Sequence, residues 1–82
     1  MQVVLVKFLD PVTCGHWSSL AEMEETKPRL CIACGLLWTE NNEIVRVGLL
    51  ADADKESASD WITIPAGCVK SVEVIKEVDW NG

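Results

Sequence analysis

Short runs of large and β-branched apolar residues, each ended by turn-forming residues, are the feature that most constrains this fold. Runs of this length and composition are typical of strands, because a helix needs a longer stretch with a helical period. Five such runs are present, at positions 3–9, 30–39, 44–51, 61–64 and 69–78. The pattern therefore predicts a mainly β fold in which one small sheet holds most of the apolar side chains.

Alternation along each run predicts which side chains face the core. In the third run, Val45, Val47 and Leu49 share one face. The second run is expected to turn its even-numbered apolar residues inward: Leu30, Ile32, Cys34, Leu36 and Trp38. Between these two runs, Asn41-Asn42 predicts a hairpin turn, because asparagine tolerates a positive φ better than most residues do.

One short helix is predicted inside the long first connection, residues 10–29. Ser19 and Glu22 have the spacing of a capping box, and Pro28 limits the helix at its other end. Leu20 and Met23 are expected to face the core. The connection exceeds the roughly 12–15 residues at which a loop usually has a structure or function of its own, so we expect it to be a binding loop.

Length and charge narrow the classes of function. A chain of 82 residues is expected to form a single domain, residues 1–82, with little room for an elaborate active site. The formal net charge of −6 disfavours nucleic acid and anionic membranes as partners. The apolar N-terminus is interrupted by Lys7 and has no basic flank, which argues against a signal peptide or a membrane span. Four cysteines without a secretion signal favour a cytoplasmic protein with reduced thiols.

The stretch from Ile62 to Val74 resembles the fourth strand, short helical turn and fifth strand of SH3-like barrels. Its Ile62-Thr63-Ile64-Pro65 segment is followed by Val69 and Ser71. The resemblance implies a small five-stranded SH3-like open barrel with one short helix in the first long loop.

The whole chain also resembles a group of small phage-encoded proteins of unassigned function. The matching features are a Val/Leu strand ending at Asp10, Trp17 before Leu20 and acidic residues, Pro28 before Cys31, Gly35 with Leu37 and Glu40, and the Ile62–Pro65 segment. Cys34 departs from that group's pattern. The resemblance implies an accessory protein made in a host bacterial cytoplasm, which binds a host factor such as an antiviral-defence component.

Cysteine and histidine spacing suggests a metal site as an alternative. Three thiolates and one imidazole, from Cys14, His16, Cys31 and Cys34, would complete a tetrahedral structural zinc site. Cys31 and Cys34 would point to opposite faces of a regular strand, so this site requires a break in the second strand. The other interpretation is that Cys34 is a core residue and that Cys31 and Cys68 are small buried apolar residues. Zinc is the only cofactor that the sequence suggests.

Aromatic and acidic residues of the first connection form a candidate partner surface. An exposed Trp17 beside His16 and the acidic residues Glu22, Glu24 and Glu25 would suit a basic protein groove. Fastening the helix or the tail to the core is the other interpretation of Trp17 and of Trp80. The single histidine is not paired with a nucleophile and an orienting group, so we expect no catalytic residues and no enzymatic activity.

Three hypotheses follow from the sequence. The first, which we favour, is a non-enzymatic phage-type protein that binds and modulates a host factor. The second is an oligomeric protein that sequesters a small ligand, such as a nucleotide signal, between subunits. The third is a zinc-stabilised mini-domain. Unpaired strand edges also make a homodimer an expected assembly.

Overall fold

The computed structural model describes residues 1–10, 17–52, 54 and 56–79. Its elements, in chain order, are β1 (Gln2–Asp10), α1 (Leu20–Glu25), β2 (Arg29–Glu40), β3 (Ile44–Ala51), β4 (Ala58–Pro65), a 3-10 turn (Ala66–Cys68) and β5 (Val69–Glu77). The prediction of a mainly β fold with a short helix in the first connection is therefore confirmed.

The five strands form one antiparallel sheet in the order β4-β3-β2-β1-β5. The first strand lies between β2 and β5, and the outermost strands β4 and β5 are joined in sequence by the 3-10 turn. No ladder between β4 and β5 is found within the described ranges, so closure into a barrel is not part of the hydrogen-bonded sheet.

The core lies on one face of this sheet and consists of six buried apolar residues: Val4, Val6, Phe8, Val45, Val47 and Ile64. Residues paired across two strands lie on the same face of the sheet. The β1 side chains are therefore opposite small residues of β2, since Val4 pairs with Gly35, Val6 with Ala33 and Phe8 with Cys31.

The predicted inward face of β2 is wrong over the first half of the strand. Leu30 and Ile32 are 60% and 62% exposed, and Cys34 is exposed as well, whereas Cys31 and Ala33 pack against the core. On the core face, the buried side chains of β1 are paired with small residues of β2, so the larger residues of this half of β2 lie on the other face. Both sets of alternate residues in β2 are apolar. Hydrophobicity alone therefore predicted that the set with the larger side chains faces the core, which is wrong here.

The hairpin between β2 and β3 forms where predicted, but by a different mechanism. The Asn41 side-chain oxygen accepts hydrogen bonds from the backbone N–H groups of Glu43 at 2.8 Å and Ile44 at 2.9 Å. Asp60 is the one non-glycine residue with positive φ in the described part of the chain. The turn therefore depends on the hydrogen-bonding capacity of Asn41 rather than on its tolerance of positive φ.

The helix α1 forms as predicted but lies apart from the core. The Ser19 hydroxyl accepts a hydrogen bond from the Glu22 N–H at 3.1 Å, which is the expected N-cap. The Thr26 N–H and hydroxyl both donate to the Met23 carbonyl at the other end. No residue of α1 is buried, so the expectation that Leu20 and Met23 face the core is wrong.

The strands β2 and β3 separate at the end of their shared ladder, and each continues beside a different neighbour. The ladder between them joins Leu36–Glu40 to 45–48, and β3 continues beyond Gly48 with β4 alone. An added Cβ on Gly35 would lie 2.5 Å from the Gly48 carbonyl oxygen, so the two backbones approach closely at this point. We call this point the fork. Val45 and Val47, before the fork, are buried as predicted, whereas Leu49 beyond it is 60% exposed.

Candidate functional site

The α1 segment, residues 17–25, presents its apolar side chains to solvent. Trp17 is 99% exposed, Leu20 73% and Met23 57%. Trp17 precedes the N-cap Ser19 by two residues, and Leu20 and Met23 are three positions apart in the helix, so that they lie on one side of it. The capped backbone therefore holds apolar groups outside the core, where they gain nothing from burial within this chain.

Acidic side chains accompany this apolar surface. Glu22, Glu24 and Glu25 are all exposed. The backbone N–H of Glu22 is held by Ser19, while none of the three carboxylates has an ion-pair partner within the described residues. The predicted partner residues Trp17, Glu22, Glu24 and Glu25 are thus brought together on one exposed segment. His16 lies outside the described residues, as does Trp80.

The two cysteines of the Cys-x-x-Cys motif do not converge. Cys31 pairs with Phe8 on the core face and is half-buried, whereas Cys34 pairs with Leu5 on the opposite face and is exposed. The strand β2 runs unbroken through both positions, so the break that a zinc site requires is missing there. No cluster of three or more potential metal ligands occurs among the described residues, and Cys14 and His16 lie outside them. The zinc site therefore stays a hypothesis.

An aromatic cleft lies on the face of the sheet opposite the core. It has a volume of about 300 Å³, and its lining includes Trp38, Trp61 and Arg46. The remaining lining residues are Thr39, Glu56, Ser57 and Ala58. Trp61 is 62% exposed, while Trp38 is half-buried.

Register explains why these side chains meet. Arg46 pairs with Thr39, and Trp61 pairs with Gly48, whose missing side chain leaves room for the Trp38 indole. A bulge in the β2–β3 ladder places Trp38 between two paired positions. The cleft could not be predicted from the sequence, because the bulge that forms it is not visible in the residue pattern.

The Trp38 indole N–H is buried without a hydrogen-bond partner in the described structure. A buried unpaired donor of this kind costs about 1–3 kcal/mol and is uncommon in native proteins. The indole lies against Gly48, so this unpaired N–H is located at the fork.

Comparison of the chain with protein-family models, with curated proteins and with solved structures found no match. No helix in the described ranges is long and apolar enough to cross a membrane.

Proposed function

We propose that this chain is a non-enzymatic, phage-type accessory protein that binds and modulates a host protein, such as an antiviral-defence component, in the bacterial cytoplasm. The observation that carries the proposal is the exposure of Leu20 and Met23 on a helix that is capped at both ends, together with that of Trp17 just before the helix. The resemblance of the sequence to small phage proteins supplies the biological setting.

The α1 segment has the chemistry of a helix-in-groove ligand. Leu20 and Met23 supply aliphatic contacts, and Trp17 supplies the large aromatic side chain that is enriched among binding hot spots. Glu22, Glu24 and Glu25 add negative charge beside this strip, with no ion-pair partner among residues 17–52, 54 and 56–79. The partner surface that fits is an apolar groove with basic residues at its rim, because the acidic side chains would steer association and fix orientation.

Quantitative capture of host proteins from a bacterial lysate tests the proposal. Two variants of the immobilised chain are compared with the wild type: Trp17→Ala, and the combined Glu22→Gln, Glu24→Gln and Glu25→Gln. The matched control instead replaces three exposed acidic residues outside α1, Glu40 and Glu73 in strands and Glu43 in the β2–β3 turn, so that the net charge changes equally.

The same partner should be retained by the control and lost by both α1 variants. Truncation of a hot-spot tryptophan costs about 2 kcal/mol or more, which corresponds to roughly 30-fold weaker binding. Backbone amides of α1 in the wild-type complex should also exchange more slowly with solvent. Capture that is unchanged in both α1 variants, with normal circular dichroism spectra, would contradict the proposal.

We further infer that the sheet belongs to the SH3-like class of small barrels. The strand order, with a 3-10 turn between the two outermost strands, supports this assignment. Residues at the end of β1 and the end of β4 also line one cavity of about 100 Å³, which includes Phe8, Ile64 and Cys68. The sheet therefore curves enough to bring these two strands together across the core, although no ladder joins them in the described ranges.

The aromatic cleft supports a second candidate function, the sequestering of a small anionic ligand. Its volume of about 300 Å³ is at the lower end of ligand-site volumes. The exposed indole of Trp61 could stack on a planar ring, and Arg46 could pair with a phosphate. A nucleotide combines both groups.

Calorimetric titration of the purified chain with a panel of mono- and cyclic nucleotides tests this function. Binding should be abolished by Trp61→Ala and weakened by Arg46→Ala, whereas Lys70→Ala on β5 should leave it unchanged. A panel without heat of binding, or an equal loss in all three variants, would exclude the cleft as a nucleotide site.

A further inference from the structure

In the described part of the chain, one flank of β2 has no strand beside it. Arg29–Gly35 pairs with β1 on one side, but the ladder to β3 on the other side begins only at Leu36. Within the described residues, the backbone N–H and C=O groups on this second side lack a sheet partner. We call this side of residues 29–35 the free flank.

The free flank lacks the features that protect strand edges in monomers. The outer edge of β5 carries alternating charges: Lys70, Glu73, Lys76 and Glu77. The outer edge of β4 contains Pro65, and its backbone is distorted at Asp60, where φ is 53°. By contrast, residues 30–39 contain neither a charged side chain nor a proline. Such an edge is a template for pairing with another strand.

The surface area of the chain exceeds that of a compact monomer. Its accessible surface is 6317 Å², whereas a monomer of 9.1 kDa is expected to expose about 4,900 Å². The excess of about 1,400 Å² is larger than the roughly 800 Å² that each partner buries in a standard interface. The exposed side chains of the α1 segment and those of the free flank, Leu30 and Ile32, both contribute to the accessible surface. The elongated shape agrees, since the radius of gyration is 16.0 Å against about 12 Å expected for this length.

We propose that the free flank pairs with the free flank of a second copy of this chain, antiparallel and about a two-fold axis at Ile32. Ile32 is the midpoint of residues 29–35, so an axis there uses the whole unpaired stretch. It places Ile32 opposite its own equivalent, Leu30 opposite Cys34 and Cys31 opposite Ala33. The pairing joins two sheets into one and covers Leu30 and Ile32, which are 60% and 62% exposed in the single chain.

Charge favours a second copy at this position despite the net charge of −6 on each chain. The paired segments are uncharged apart from Arg29 at their ends, so no acidic side chains face each other across the axis. An antiparallel pairing also satisfies the same backbone groups on both chains at once, as an isologous interface requires.

Complementary charges at the two-fold axis test both the contact and its register. Ile32→Lys and Ile32→Glu each place two like charges opposite each other in the symmetric pair, which destabilises it. The matched controls are Ile75→Lys and Ile75→Glu, since Ile75 is a strand residue on β5 with 52% exposure. The mass in solution is measured by light scattering for each variant alone and for equimolar mixtures, after circular dichroism confirms the β-sheet.

The wild type and both Ile75 variants should have twice the mass of one chain. Each Ile32 variant alone should have the mass of one chain, with at least about tenfold weaker association, and the mixture of Lys and Glu variants should regain the doubled mass. A wild type that is monomeric at all concentrations would overturn the proposal, even if it binds extended peptides. Ile32 variants that remain dimeric, or a mixture of the two variants that fails to form dimers, would also overturn it. If an Ile32 variant loses its β-sheet spectrum, Leu30→Lys replaces it and should also give the mass of one chain.

Discussion

Glycine at position 35 allows the backbones of β2 and β3 to approach at the fork. A Cβ added there would lie 2.5 Å from the Gly48 carbonyl oxygen and 3.0 Å from a methyl group of Val47. The first of these neighbours is backbone, so it cannot turn aside as the end of a side chain can. An added Cβ on Gly48 instead meets the Trp38 indole at 3.0 Å, which has more freedom to shift.

Three alanine substitutions should therefore differ in stability. We expect Gly35→Ala to lower the free energy of unfolding by about 1–3 kcal/mol, because overpacking against backbone forces a local shift. Gly48→Ala should cost less. Gly67→Ala is the control, since a Cβ there meets nothing within 4 Å, and it should be neutral or stabilising by up to about 1 kcal/mol.

Urea denaturation at one fixed protein concentration measures these differences. Equal stabilities for Gly35→Ala and Gly67→Ala would show that the fork tolerates a side chain and that the close approach has no energetic consequence.

The side-chain hydrogen bonds of Asn41 and Ser19 stabilise two elements that differ in their contribution to the core. Asn41 fixes the turn between β2 and β3, both of which contribute to the core or its edge. Ser19 caps α1, which has no buried residue. Loss of the Asn41 hydrogen bonds should therefore lower the stability of the whole sheet, whereas loss of the Ser19 hydrogen bond should destabilise only the helix.

Asn41→Ala should reduce the global free energy of unfolding by about 1 kcal/mol, because two backbone N–H groups lose their side-chain acceptor. Ser19→Ala should cost the helix a similar amount but leave global unfolding unchanged, while exchange of the Glu22 amide becomes faster. Denaturation and native-state hydrogen exchange separate these effects. A global loss in Ser19→Ala would show that α1 is energetically coupled to the sheet.

Local patterns in the sequence predicted the elements better than their faces. Apolar runs, the Asn41 turn and the Ser19 cap depend on near neighbours, and every predicted element formed, although β4 begins at Ala58, three residues before the apolar run that predicted it. The inward face of β2 depends instead on the pairing of Ala33 with Val6 and of Gly35 with Val4, which is long-range information.

The candidate site divides in the same way. The exposed α1 segment could be anticipated from Trp17 and its acidic neighbours, although the helix was expected to rest on the core. The aromatic cleft and the free flank could not, because both depend on the bulge at Trp38 and on the residue at which the β2–β3 ladder begins.

At the scale of the whole molecule, the six buried residues form a small core for a chain of 82 residues. Twelve large apolar side chains in the described part of the chain remain exposed. Pairing of two copies would add buried apolar area that the single chain lacks, and each chain would then be stabilised by its partner.

Thermal stability should therefore depend on protein concentration. The midpoint of thermal unfolding should rise as the concentration of the wild type increases, because association favours the folded state by mass action. In Ile32→Lys the midpoint should be lower and independent of concentration. Calorimetric scans over a dilution series measure both, and a wild-type midpoint that does not move with concentration would contradict this expectation.

The free flank, which carries no charge after Arg29, also affects how this chain behaves before two copies have paired. Residues 30–39 combine high β propensity with no charge and no proline, which is the signature of a segment that can seed cross-β aggregation. A two-fold pair covers the flank on both chains, so that the remaining unpaired edges in the described structure are the short flank of β3 beyond Gly48 and the outer edges of β4 and β5, which contain proline or charged residues. A two-fold dimer would then also protect the chain from aggregation, because it covers this edge. Variants that block pairing at Ile32 should therefore precipitate sooner on heating than variants altered at Ile75.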